Sequence, residues 1–389
     1  MPVNNRLADR ADTIKEWRRH LHQNPEIMYE VQETAAFVAE KLRAFGCDEV
    51  VEGLGQTGVV GIIKGSKSGG PTVGLRSDMD ALPIEEETGV PHASTKPGMM
   101  HACGHDGHTA MLLGAAEHLC ETRGFAGSVA VIFQPAEEGG AGAKAMMDDG
   151  LFERFGIEEV YGMHNYPGIP VGEFAMRAGP TMAATDIFEI VVTGVGGHAA
   201  RPHTGIDPVV TSAQIITMLQ TIASRNADPL ESIVVSVTTI HAGDADNVIP
   251  ERVKMTGTVR TLIPEMRDLA EKRIGEIVES VSAAMGCTAV LDYERNYPVV
   301  VNHERETHFA ATIASKVVGA DKVDTEMAPV MGGEDFAFML EGRPGAFIFT
   351  GNGEDSANLH SPHYDFNDDI IPLGASYWVE LVETRLAGQ

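Results

Sequence analysis

Basic residues are scarce in this chain: 29 Lys and Arg stand against 56 Asp and Glu in 389 residues, a formal net charge of −27. Nucleic acid and anionic membrane surfaces both require a positive face, so neither is expected as a partner. An anionic small molecule would have to be held by local cations against the field of the whole protein. Cysteine is sparse too. Cys47, Cys103, Cys120 and Cys287 are too scattered to form a disulfide framework, and all but Cys103 read as small buried hydrophobes. No run of 18 apolar residues occurs, which excludes a helix crossing a membrane. The first twenty residues carry Arg6, Arg10, Lys15, Arg18 and Arg19 among acidic residues, without the apolar stretch of an export signal, so a cytoplasmic protein is expected.

What remains is an ordinary globular composition, 43% hydrophobic and 22% charged, long enough for two domains with full cores. Apolar spacing predicts helices over 7–22 and 33–45, the second stopped by Gly46. Strands are expected at 59–63, 72–76, 129–133 and 160–163, with helices at about 108–120 and 141–149 between them. This alternation predicts an α/β fold: a mixed, largely parallel sheet covered by helices. Asp78, Asp80, Glu137, Glu138 and His164 all fall just past the carboxyl ends of predicted strands, where open α/β sheets bind ligands.

From about Asp186 the pattern becomes strand, helix, two strands, helix, strand, the order of a ferredoxin-like α+β sandwich. Residues 183–295 are therefore expected to form an inserted domain within a first domain made of 1–182 and 296–389. After it come a helix at about 304–318, a turn at 332–335, a strand at 346–350, a loop with His360 and His363, and a closing helix.

The chemistry gathers around residues 100–108. Cys103 and His105 offer a thiolate and an imidazole, donors suited to zinc and its first-row neighbours. Gly104 and Gly107 let the backbone bend close to an ion, and Asp106 could orient an imidazole. Glu138, His164 and His360 complete a set of five donors, with Glu137 beside them. A single catalytic zinc usually takes three protein ligands, so five suit two ions sharing a bridging group.

Further stretches stand out along nearly the whole chain: Arg18–His22 with Pro25 and Glu26, Leu75–Pro83, His101–His108, Gln134–Glu138, Gly162–His164, Gly196–His203, Asn247–Pro250, Gly332–Phe336 and Leu359–His363. Taken together and in this order, they resemble the dinuclear metal amidohydrolases, the family of hippurate hydrolase, N-acyl amino acid deacetylases and auxin-conjugate hydrolases. The resemblance implies a zinc-exopeptidase-like catalytic domain, an inserted lid or dimerisation domain, and a homodimer or homotetramer. It implies two divalent ions per subunit, Zn, Mn, Co or Ni, held by Cys103, His105, Glu138, His164 and His360. Glu137 is the implied general base and His198 the implied oxyanion donor, with Asn247 and Arg260 holding a substrate carboxylate. The wider superfamily has a metal-binding His where this chain has Arg76, which cannot ligate; the thiolate of Cys103 is the implied replacement.

The implied reaction is hydrolysis of an N-acyl amino acid. A dipeptidase or carbamoyl-amino acid hydrolase uses the same chemistry. Two other classes compete: a thiol hydrolase with Cys103 as nucleophile and His105 as base, and an inactive relative that binds amino acid conjugates. His20 and His22 read as capping or packing residues, and His101 and His108 as supports rather than ligands.

Overall fold

The computed structural model describes residues 4–388. Two compact units divide them. One contains the chain up to Gly179, Val301–Ala328 and everything from Asp335; the other contains Pro180–Val300 and Pro329–Glu334.

In the first unit, α1 (Asn5–Gln23) buries Leu7, Ile14, Trp17 and Leu21, and the Asn4 side chain caps it by accepting from the Arg6 amide at 3.0 Å. Helix α2 (Gln32–Phe45) ends on Gly46 in the left-handed conformation. The strands that follow are β1 (Glu49–Leu54), β2 (Gly58–Lys64) and β3 (Lys67–Asp78). Beyond them lie α3 (His105–Thr122), β4 (Ala126–Gln134) and β5 (Ile157–Pro167). β1 was not expected, because its half-exposed Glu-Val-Val-Glu-Gly sequence has no clean alternation.

Eight strands form the sheet in the order β1, β2, β4, β3, β5, Gly345–Gly353, Phe174–Ala175 and Val323–Asp324. Its centre is parallel from β4 to Gly345–Gly353. β1 and β2 turn one margin antiparallel, and Phe174–Ala175 runs antiparallel to Gly345–Gly353. The mixed, largely parallel sheet is thus present.

Helix α3 is buried on all sides for most of its length, packed on β3 and against α1, α2 and the closing helix Ile371–Arg385. That surround explains its apolar and small residues at every helical phase. It begins three residues earlier than the apolar spacing indicated. The Gly104 carbonyl accepts from the amides of Gly107 and His108 at 2.9 and 3.1 Å, so His105 already belongs to the first turn.

The second unit carries a four-stranded antiparallel sheet in the order Ile233–His241, Arg252–Thr261, Ala184–Thr193, Thr288–Arg295. Helices Pro208–Thr221 and Pro264–Ala284 complete the βαββαβ order of a ferredoxin-like sandwich. Phe188, Ile190, Val192, Val253, Met255 and Val259 meet Ile215, Leu219, Ile274 and Val278 in one core. Asp207 starts the first of these helices, its side chain accepting from the Val209 amide at 2.8 Å.

Candidate metal centre

Cys103, His105, Glu137, Glu138, His164 and His360 all belong to the first unit. Gly104 separates Cys103 from His105 with φ at +93°, and a Cβ there would collide with the Asn165 side-chain oxygen and the Tyr364 hydroxyl. Conformation and crowding both demand glycine at this one position. His105 then sits in the first turn of α3, fully buried. Its Nδ1–H donates to the Asp80 carbonyl at 2.8 Å. That bond fixes the tautomer and leaves the Nε2 lone pair buried with no hydrogen-bond partner.

His164 repeats this arrangement, its Nδ1–H donating to the Asn165 carbonyl at 2.5 Å while Nε2 lies 3.4 Å from the Cys103 sulfur. His164 does not follow the end of a strand as expected. It is inside β5, whose pairing with β3 stops at Gly162 but continues along Gly345–Gly353 as far as Pro167. His164 therefore clears the end of β3 while its backbone stays in the sheet.

Glu137 and Glu138 lie in a turn after β4, entered through Ala136 at φ +54°, rather than in an extended segment. Asp80 grips this turn: its two carboxylate oxygens accept from the Glu137 and Glu138 amides at 3.0 and 3.1 Å. Both glutamates consequently reach His105 instead of pointing to opposite sides, and the ligand atoms of the three lie within 4.8 Å of one another. His360 arrives from the loop before the closing helix, at φ +63°, with its amide donating to the Ala102 carbonyl at 2.8 Å. Its Nε2 is 3.2 Å from a Glu138 oxygen.

Two of the donor triads share one atom. Cys103, His105 and His164 form one, and Cys103, Glu138 and His360 form the other, the atoms of each within 4.8 Å of one another. The sulfur of Cys103 is common to both. A shared soft donor flanked by imidazole nitrogens and a carboxylate fits two borderline divalent ions.

The electrostatics agree. Burial opposes a charge on His105, but Asp78, Asp80 and Glu138 outweigh it and raise the imidazole to about 10. A proton there supplies the positive charge these carboxylates demand, and a divalent ion supplies more of it. Burial works against Glu138 as an anion, yet His360 and His105 keep it below the ordinary carboxylate value. Burial and the neighbouring His108 hold His164 well below the usual histidine range, the neutral state a ligand needs. Burial, then Glu138, Glu137 and Asp78, push the Cys103 thiol well above its usual value. These acidic surroundings disfavour a lone thiolate and favour one only beside a cation, which suits a metal ligand better than a free nucleophile.

Around the triads is a layer that the sequence revealed only in part. His108 is tied at both nitrogens, to Asp78 at 2.7 Å and to Asn165 at 2.8 Å, and supports the site without being free to ligate. Arg76, fully buried, reaches Asp78, Gln134 and Asp335 at 2.6, 2.8 and 3.0 Å. Asn165 and Tyr364, joined at 2.5 Å, escaped notice. Asn165 gave one hint, its position next to His164. Asp106 does not orient a metal-facing imidazole: its Oδ2 accepts instead from Arg18 and His22. His22 is accordingly a fully buried, hydrogen-bonded residue rather than a packing residue at a helix end, whereas His20 does pack, on Phe37.

The remaining candidates lie in the second unit. His198 is exposed and pairs through its backbone with Val248 in a two-residue ribbon, where the Ala199 amide donates to the Asn247 carbonyl at 3.0 Å. His198 and Asn247 are thus brought together. Arg260 is half-buried on the strand Arg252–Thr261, its guanidinium against Thr258 and the Val259 carbonyl.

Known proteins share this architecture. A Bacillus subtilis protein described as a dinuclear metal binding peptidase of the M20 family superposes with a TM-score of 0.83 at 35% identity, covering 97% of this chain and 98% of that one. The hippurate hydrolase of Campylobacter jejuni is 40% identical over 375 residues, 96% of this chain and 97% of the relative. The N-acetyl-L-cysteine deacetylase of Bacillus subtilis is 44% identical over 370 residues, 95% and 87% of the two chains. Residues 74–384 match one family throughout, and the chain belongs to it: peptidase family M20/M25/M40.

Proposed function

We propose that this protein is a metal-dependent hydrolase of the amide bond of N-acyl amino acids, of the hippurate or N-acetyl type, releasing a carboxylic acid and a free amino acid. One observation carries the reading: two donor triads share the Cys103 sulfur, and a carboxylate outside both, Glu137, stands beside them. The relatives named hippurate hydrolase and N-acetyl-L-cysteine deacetylase support the substrate class.

Cys103, His105 and His164 on one side, with Cys103, Glu138 and His360 on the other, would hold two divalent ions, Zn, Mn, Co or Ni. Such ions act as Lewis acids that polarise a carbonyl and make water nucleophilic near neutral pH. Glu137 takes the proton of the attacking water and delivers it to the leaving nitrogen. Asp80 keeps that carboxylate in place through the turn it grips. His198 donates to the developing oxyanion, and Asn247 with Arg260 holds the substrate carboxylate, so replacing either should raise KM.

The chelator experiment tests this reading. Hydrolysis of hippurate or N-acetylmethionine should fall at least ~100-fold when metal is stripped and return on adding Mn²⁺, Co²⁺ or Zn²⁺. Turnover indifferent to chelation but stopped by thiol alkylation would overturn it, and no turnover on any N-acyl amino acid would favour an inactive binding protein.

The enzyme is further proposed to be cytoplasmic, where a reducing environment preserves the Cys103 thiol. None of the described residues forms a helix long and apolar enough to cross a membrane. A homodimer or homotetramer is proposed through the second unit, whose edge strand Ile233–His241 exposes Val234 and Ile240 and whose helix Pro208–Thr221 exposes Val209, Val210 and Met218. Sedimentation at micromolar concentration should give a species at least twice the monomer mass; a monomer would remove the proposal.

A further inference from the structure

The run Arg18-Arg19-His20-Leu21-His22 belongs to the family resemblance, yet the chemistry above gives it no task. Arg18 is wholly buried, although a guanidinium remains charged at any physiological pH. Such a group is retained only with partners that answer its charge and its fork of donors.

Its acidic partners come from two places, and Nη1 also lies 2.9 Å from His92 Nε2. Nε donates to Asp106 Oδ2 at 2.7 Å, the same oxygen that accepts from His22 Nδ1 at 2.8 Å. Nη2 donates to Asp365, and Nη1 lies 3.4 Å from Asp368. Asp106 directly follows His105 in the first turn of α3, and Asp365 lies five residues beyond His360 in the loop that ends at the closing helix. One guanidinium therefore clamps the two segments that deliver a donor to each triad.

His360 shows why a clamp is needed. It holds a left-handed backbone conformation at φ +63°, which a residue with a Cβ keeps only when its surroundings enforce it. Its side chain is about half exposed, at 53%, so packing does little to fix it. The loop is held instead by the His360 amide on Ala102, by Tyr364 on Asn165 and by Asp365 on Arg18.

We infer that Arg18 is a positioning residue for the metal centre, its fork holding the first turn of α3 and the His360 loop so that the two triads face one another across Cys103. The inference rests on the two-ion reading given under the proposed function. It gives the buried Arg18, His22 and Asp106 group a task other than stability. Buried ion pairs are weak sources of stability but good devices for fixing one geometry.

Asp365→Asn and Arg18→Lys test it. The carboxylate of Asp365 is 31% exposed, so its amide can be accommodated and the fold should survive. Lysine keeps the charge of Arg18 but replaces a rigid fork with a point charge that cannot serve Asp106 and Asp365 together. Metal-free wild type and both variants are titrated with Mn²⁺ and with Zn²⁺ against a chromogenic chelator, and the Tm of each metal-free protein is recorded. The expected result is two ions in the wild type, and in Asp365→Asn one ion bound as tightly as before with the other weakened ~10–100-fold. Metal-free Tm should fall only modestly, because Asp106 and Asp368 still answer the buried charge. Arg18→Lys should show the same split in affinity, with a lower Tm. Wild-type affinity for both ions in Asp365→Asn, whatever happens to Tm, would overturn the inference and leave Arg18 a stability element. A wild type that itself binds fewer than two ions overturns the two-ion reading and this inference with it.

Discussion

Glu137→Gln should retain two ions and lose turnover by at least ~10³-fold, towards the upper part of the range that general acid–base transfer contributes. The amide has the same shape as the carboxylate but cannot accept the proton of an attacking water. Glu137 belongs to neither triad that shares Cys103, so metal content, measured by elemental analysis after gel filtration, should match the wild type. Asp80 binds the backbone amide of residue 137 and not its side chain, so the turn should also persist. His198→Ala is the informative companion in the same assay. Losing one oxyanion donor typically lowers kcat ~10²–10³-fold, again with metal intact. Wild-type turnover in Glu137→Gln would transfer the base to another residue, and an unchanged kcat in His198→Ala would assign the oxyanion to another donor.

The second large effect is expected at Cys103. Alanine there removes the one atom common to both triads, so both ions should weaken together, by more than the ~10–100-fold that loss of an outer hydrogen-bond partner costs. Activity should fall to background at micromolar metal and recover only in part at millimolar metal. The fold should survive, because Cys103 is a small buried side chain that takes no part in the hydrophobic core of the first unit. The contrast with His164→Ala carries the argument. That variant removes a donor from one triad only, and one ion should remain at full affinity. If Cys103→Ala kept one ion tightly bound, the sulfur would not be shared.

Much of this architecture could be read from residue order. The α/β alternation, the βαββαβ order of the second unit and the loop carrying His360 follow from local spacing and from glycine and proline stops, which a single chain displays openly. The start of α3 did not, because a helix that opens on Gly-His-Asp-Gly-His has polar residues where burial is complete, and only tertiary contacts make that tolerable. The turn at Glu137 was missed for a related reason. Its shape is imposed by Asp80, which lies 57 residues earlier and accepts from two successive amides. Asn165 and Tyr364 escaped, and Arg18 was visible only as part of a motif without a task, because their roles depend on partners far along the chain, and distance along the chain leaves no periodic trace. Cys103, His105 and the paired glutamates were legible because their chemistry is unusual in itself.

All five proposed metal-binding residues, together with Glu137, come from the first unit, whereas His198, Asn247 and Arg260 come from the second. On the roles proposed above, water activation belongs to one stretch of polypeptide, and oxyanion stabilisation with recognition of the substrate carboxylate belongs to another. Substitutions at Asn247 or Arg260 would then change how the substrate is held without touching Glu137 or any proposed metal ligand.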